Sequence, residues 1–118
     1  MSERARPPDD IAPVDFFREW APSAVHSDPA RMEKIVGLRA RIQFELDGSG
    51  PYWLEIADGS VRGDAGRVAE PDLTLSTDLE TWRALNAGDL KAPMAVMKGK
   101  LRFSGSMYLA LKIHFIIG

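Results

Sequence analysis

The chain has 118 residues, 45% hydrophobic and 27% charged, with no cysteine and a net charge of −2. That composition fits one ordinary globular domain and excludes a fibrous repeat, disorder throughout, disulfides, thiolate metal sites and cysteine nucleophiles. The near-neutral balance gives no general pull toward nucleic acid, yet it is uneven: residues 1–90 hold ten Lys/Arg against seventeen Asp/Glu, whereas residues 91–118 hold Lys91, Lys98, Lys100, Arg102 and Lys112 and no carboxylate.

Residues 1–12 lack the apolar core of a signal peptide and are expected to form a flexible tail ahead of a single domain over residues 13–118. Pro13 suits the first turn of a helix that places Phe16, Phe17 and Trp20 on one stripe, and Pro22 is expected to end it. A second short helix is expected from Pro29 to Val36, with Met32, Ile35 and Val36 on one side and Gly37 as its stop.

After Gly37 the period changes to two. Ala40, Ile42, Phe44 and Leu46 alternate with Arg39, Arg41, Gln43 and Glu45, which predicts a strand with one covered face. The turn Asp47–Pro51 leads to a second strand with Tyr52, Leu54 and Ile56 in alternation, and Asp58-Gly59 to a short third strand over Ser60–Gly63. A fourth strand is expected at Asp72–Ser76, so that this region reads as an antiparallel meander.

Thr77 and Glu80 have the spacing of a capping box, opening a helix with Leu79, Trp82 and Leu85 in phase and Gly88 at its end. Pro93 opens a further short helix through Met94 and Met97 to Gly99, and Leu101 and Phe103 mark a fifth strand closed by Gly105. Met107–Ile117 has helical length but is apolar nearly all round, because Lys112 and His114 fall on opposite sides of the wheel. It is too short, and too interrupted by these two residues, to span a membrane. The elements add up to an α+β domain.

The sequence is poor in chemistry. It has no G-x-S-x-G elbow, no G-x-G-x-x-G or Walker loop and no H-E-x-x-H, and its two histidines, His26 and His114, are far apart. The carboxylates fall in tails, turns and polar strand positions, which suits solvated surface charge better than an acid/base pair. His114 either meets the polar end of a ligand or is an imidazole satisfied by backbone or solvent. No catalytic residue, metal site or cofactor is expected. What stands out is apolar material in residues 94–117: Met94, Met97, Leu101, Phe103, Met107, Leu109, Leu111, Ile113, Phe115, Ile116 and Ile117. These residues close a core, line a ligand cavity, form a subunit interface or dock on a membrane beside the basic residues.

The run Ala95-Val96-Met97-Lys98-Gly99-Lys100-Leu101, followed by Gly105, Met107 and Leu111, resembles the A-F-M-x-G-K-L signature of the sterol carrier protein 2 (SCP-2) family. Phe44, Trp53, Asp58-Gly59, Gly63, Asp72–Ser76, Leu85 and Gly88 keep the family's order, and Phe16–Pro22 resembles the opening helix of bacterial single-domain members. The resemblance covers about residues 14–118. It implies a five-stranded, mostly antiparallel sheet with helices on one face and an apolar tunnel between them. It also implies a non-enzymatic protein that binds a sterol, fatty acid, fatty acyl-CoA or phospholipid. Val96 stands where Phe is common, which alters the expected cavity volume. The C-terminus carries no S-K-L peroxisomal address, so a bacterial cytoplasmic protein is expected. On this reading Phe44, Leu75, Trp82, Leu85, Met94, Met97, Phe103, Met107, Leu111 and Phe115 supply the ligand-binding wall. Lys98, Lys100 and Lys112 lie near its mouth, open to an acidic head group or to transient contact with a membrane surface. The alternative is a protein-interaction module or homodimer built on the C-terminal helix.

Overall fold

The computed structural model describes residues 6–117; residues 1–5 of the expected tail, and Gly118, lie outside them. The sheet is built from β1 (Ala40–Asp47), β2 (Gly50–Ala57), β3 (Ser60–Ala65), β4 (Leu73–Asp78) and β5 (Arg102–Gly105), in the order β3-β2-β1-β4-β5. Alternation in β1 and β2 does what period-two patterning requires: Ile42 sits opposite Leu54 and Phe44 opposite Tyr52, all four buried. The two hairpins β1-β2 and β2-β3 are antiparallel, as expected.

The fourth strand departs from the expected meander. β4 does not pair with β3; it crosses to the other side of β1 and runs parallel to it, with Ile42 opposite Leu73 and Phe44 opposite Leu75. Its entry is fixed by Asp72, whose carboxylate accepts from the Arg41 backbone N–H at 2.8 Å while its own N–H donates to the Arg41 carbonyl. β5 then adds antiparallel to β4, giving a mixed sheet in which three of the four pairings are antiparallel.

Helices cover one face. The first helix does not stop at Pro22: α1 (Pro13–Asp15) passes through a π-type turn, Phe16–Trp20, into α2 (Ala21–His26). The Ala21 N–H reaches back five residues to the Phe16 carbonyl. The widened turn absorbs the proline, which has no N–H to give and whose ring crowds the preceding turn. α3 (Pro29–Lys34) is capped by Asp28, which accepts from the Ala30 N–H. It ends early enough that Ile35 is buried while Val36, expected beside it, points outward at 77% exposure. Arg31 of α3 is buried, its guanidinium 5.7 Å from the Trp20 ring centroid.

The helix after β4, α4 (Leu79–Ala87), begins one residue later than the capping box implies. Asp78 is the N-cap, its carboxylate accepting from the Thr81 N–H at 2.7 Å and the Thr81 hydroxyl at 2.9 Å, while the Thr77 hydroxyl donates to the Lys100 carbonyl. Gly88 closes α4 at φ +80°. α5 (Ala92–Met97) and β5 follow, and α6 (Met107–Ile117) ends the described chain, its first turn capped by Ser106, whose hydroxyl accepts from the Leu109 N–H.

The inner core is strongly aromatic. The Phe17 ring stacks on Tyr52 at 5.1 Å and meets Phe44 at 4.7 Å, while Phe16 contacts Trp82 edge-on at 5.1 Å and stacks on Trp20 at 5.2 Å. The outer face of the sheet is polar. Glu55 of β2 is flanked by Arg41 and Arg62, which hold its carboxyl below the usual carboxylate range, the hydrogen bond from Arg62 contributing most.

Candidate functional site

The expected wall residues fall into three environments. Phe44 and Trp82 are buried in the aromatic core. Leu75, Phe103 and Leu85 are half-buried, the first two packing against the core's edge. Met94, Met97, Met107, Leu111 and Phe115 are exposed, together with Val96 and Tyr108, which the expected wall did not include.

The sheet brings part of this set together. Tyr52, Phe44, Leu75 and Phe103 occupy successive registered positions on β2, β1, β4 and β5, and so form one cross-strand row on the helix-covered face. Cover thins along the row. Tyr52 and Phe44 lie beneath Phe17, whereas Leu75 and Phe103 keep part of their surface in solvent. β5, the last member, is connected on one side to α5 and on the other to α6, and these are the elements that carry the exposed methionines, Leu111 and Phe115.

α6 has two apolar faces. Leu109, Ile113 and Ile116, at i, i+4 and i+7, are buried in the core cluster beside α2 and α3. Met107, Tyr108, Leu111 and Phe115 occupy the opposite side and remain more than half exposed. The Lys112 ammonium lies 5.6 Å from the Tyr108 ring centroid, and the His114 ring meets Phe115 at 5.3 Å. The sequence makes α6 apolar nearly all round; which side turns inward is decided by packing on α2 and α3.

A separate, polar depression of about 710 Å³ lies where the β1–β2 turn meets the β4–α4 junction, lined by residues that include Glu45, Asp47, Arg67, Asp78, Lys100 and Arg102. It contains none of the expected wall residues, although Lys100, expected near the mouth, borders it.

His26 has a structural use: its Nε2 accepts the Val61 backbone N–H at 3.0 Å, tying the end of α2 to edge strand β3. Among the described residues no group of three or more His, Asp or Glu is placed to hold a metal ion, and no helix is long and apolar enough to cross a membrane.

Comparison with known proteins adds to this geometry. A family model described as the SCP-2 sterol transfer family matches residues 21–118. Hydroxysteroid dehydrogenase-like protein 2 of Xenopus laevis is 35% identical over 92 residues, covering 73% of this chain and 21% of that protein. The Bos taurus protein of the same name is 31% identical over 83 residues, covering 68% of this chain and 20% of its own length. The chain thus spans about a fifth of these curated relatives.

Among solved structures, apo sterol carrier protein 2 of Yarrowia lipolytica superposes with a TM-score of 0.67 at 21% identity, covering 88% of this chain and 85% of that one. Palmitated SCP2L2 of Aedes aegypti gives 0.68 at 23% identity, with 88% and 93% covered. The sec-alkylsulfatase Pisa1 of a Pseudomonas species gives 0.69 at 19% identity, with 91% of this chain but only 16% of the sulfatase covered. At these identities the structural likeness establishes the fold. The expected five-stranded α+β architecture with helices on one face is the one observed.

Proposed function

Because the chain belongs to the SCP-2 sterol transfer family, we propose that it is a non-enzymatic, cytoplasmic carrier that binds a lipid-like molecule, a sterol, fatty acid, fatty acyl-CoA or phospholipid. The observation that carries this reading is the cross-strand row Tyr52–Phe44–Leu75–Phe103, closed at one end by aromatic packing and half-open at the other. A ligand laid along Leu75 and Phe103, with Leu85, Met94, Met97, Met107, Leu111 and Phe115 adapting to it, would gain about 0.8 kcal/mol for each methylene removed from water. Lys98, Lys100 and Lys112 would serve an acidic head group. The palmitated state of the Aedes aegypti structure supports an acyl chain as one such ligand.

Native mass spectrometry of the purified protein, with titration of a fluorescent fatty acid, tests the proposal. A co-purifying lipid or saturable binding supports it; the absence of both overturns it. A second reading, a protein-interaction or homodimerisation module, draws on the exposed outer side of α6. In the dehydrogenase-like relatives the matched segment makes up about a fifth of the protein. Sedimentation of the ligand-loaded chain as a strict monomer would count against the homodimer.

A further inference from the structure

Phe17 stands over the closed end of the cross-strand row. Its ring is wholly buried, meets Phe44 of β1 at 4.7 Å, and is nearly parallel both to Tyr52 of β2, 9° and 5.1 Å away, and to Trp82 of α4, 22° and 6.1 Å away. One side chain thus fills the space between sheet and helices above β1 and β2, about 10 Å of the row at roughly 4.8 Å per strand. Above β4 and β5 the same space is only partly covered, since Leu75 and Phe103 keep some surface in solvent. The ring is also held in place. The Phe17 carbonyl rests on Gly63, Arg18 donates to the Asp64 carboxylate at 2.6 and 3.0 Å, and His26 accepts the Val61 N–H at 3.0 Å, so that three ties fix this segment to edge strand β3.

The two ends of the row therefore answer a ligand differently. The methionines of α5 and α6 are exposed and flexible, and adapt to occupants of different shape. A rigid ring packed among other aromatic rings does not yield without strain. We infer that Phe17 is a length stop: an acyl chain entering over Phe103 and Leu75 runs along the row until its methyl end meets the Phe17 ring, which sets the chain length beyond which added carbons bring no affinity. This inference rests on the carrier reading and adds to it the residue that selects among acyl ligands.

The test is a series of saturated fatty acids of increasing length, each titrated as a competitor of a fluorescent fatty acid on the intact protein. Affinity is expected to rise by up to about fourfold per added methylene and then to level off at a break, where the chain reaches Phe17. Phe17→Ala should move that break to chains longer by roughly four carbons, and Phe17→Val by roughly two, following the volume deleted. Phe16→Val is the control. Phe16 is equally buried beside it but packs on Trp20 and Trp82 rather than on the row, so its loss should weaken the core and leave the break in place. Should Phe17→Ala fail to fold, the two valine variants carry the comparison. A break that Phe17→Val leaves where it is, one that Phe16→Val moves as far, or a parent profile with no break overturns the length stop while the carrier reading stands. A parent that binds no fatty acid of any length overturns the carrier reading and the length stop with it.

Discussion

The backbone carbonyl of Phe17 is seated directly on Gly63, so close that a methyl group there would overlap the carbonyl oxygen, the Leu54 side chain and the Trp53 carbonyl. This contact lets the π-type turn lie flat on edge strand β3 and brings Phe17 down onto Tyr52 and Phe44. Gly63→Ala is therefore expected to push the helix off the sheet and to cost about 1–3 kcal/mol, the usual penalty of overpacking. Urea denaturation with an unchanged m-value measures it; a variant as stable as the parent would show that the close approach is not required.

Asp78 rather than Thr77 caps α4, and the two make different demands. Asp78→Ala removes the acceptor for the Thr81 N–H and is expected to cost about 1 kcal/mol, whereas Glu80→Ala, which a Thr77 capping box would penalise, should be nearly neutral. The hydrogen bonds from Thr81, the backbone one first, hold the Asp78 carboxyl below its ordinary value. A carboxyl depressed on folding contributes stability that is fully present above its unfolded pKa of about 4 and is lost as pH falls through the lower folded value. The difference between parent and Asp78→Asn should accordingly shrink in chemical denaturation below about pH 4. A gap that widens on acidification would reverse the assignment.

Gln43 marks where the sequence pattern was silent. In the alternation of β1 it occupies a polar, outward slot, yet it is buried, its amide nitrogen donating to the Tyr52 and Gly66 carbonyls and its oxygen accepting the Val68 N–H. These partners lie on β2 and in the loop after β3, so its role depends on how the chain folds back, which periodicity does not encode. For the same reason the alternation of Leu73 and Leu75 was readable but the parallel pairing of β4 with β1 was not: a strand's pattern fixes its faces, not its neighbour. Gln43→Leu is expected to strand two carbonyls and an N–H and to cost at least about 2 kcal/mol. Faster hydrogen exchange at the Val68 amide would place that loss in the loop; unchanged exchange would contradict it.

The candidate site was legible in composition and less so in arrangement. The apolar surplus of residues 94–117 and the basic bias beyond Asp89 could be counted directly from the sequence. That Phe44 and Trp82 are sealed among aromatic rings, while Leu75 and Phe103 continue the same row into partial exposure, follows from registry across four strands and from where the π-type turn sits. Sequence spacing could nominate each side chain, but only the packed helices decide which keep a free surface.

That gradient gives the sharpest test of the ligand face. Phe103 and Ser104 are neighbours on β5, and strand geometry turns them to opposite faces: Phe103 joins Leu75 on the inner row and Ser104 pairs with Thr74. If the ligand lies along the inner row, Phe103→Ala removes roughly half of what a fully buried phenyl ring supplies, about 1.4 kcal/mol, and should weaken fatty-acid binding about tenfold. Ser104→Ala should leave the affinity unchanged. The two variants share a strand and its edge, so a general loosening of β5 would affect both alike, whereas a ligand on the inner face distinguishes them. Equal affinities for both variants in the fluorescent fatty-acid titration would move the ligand away from this row.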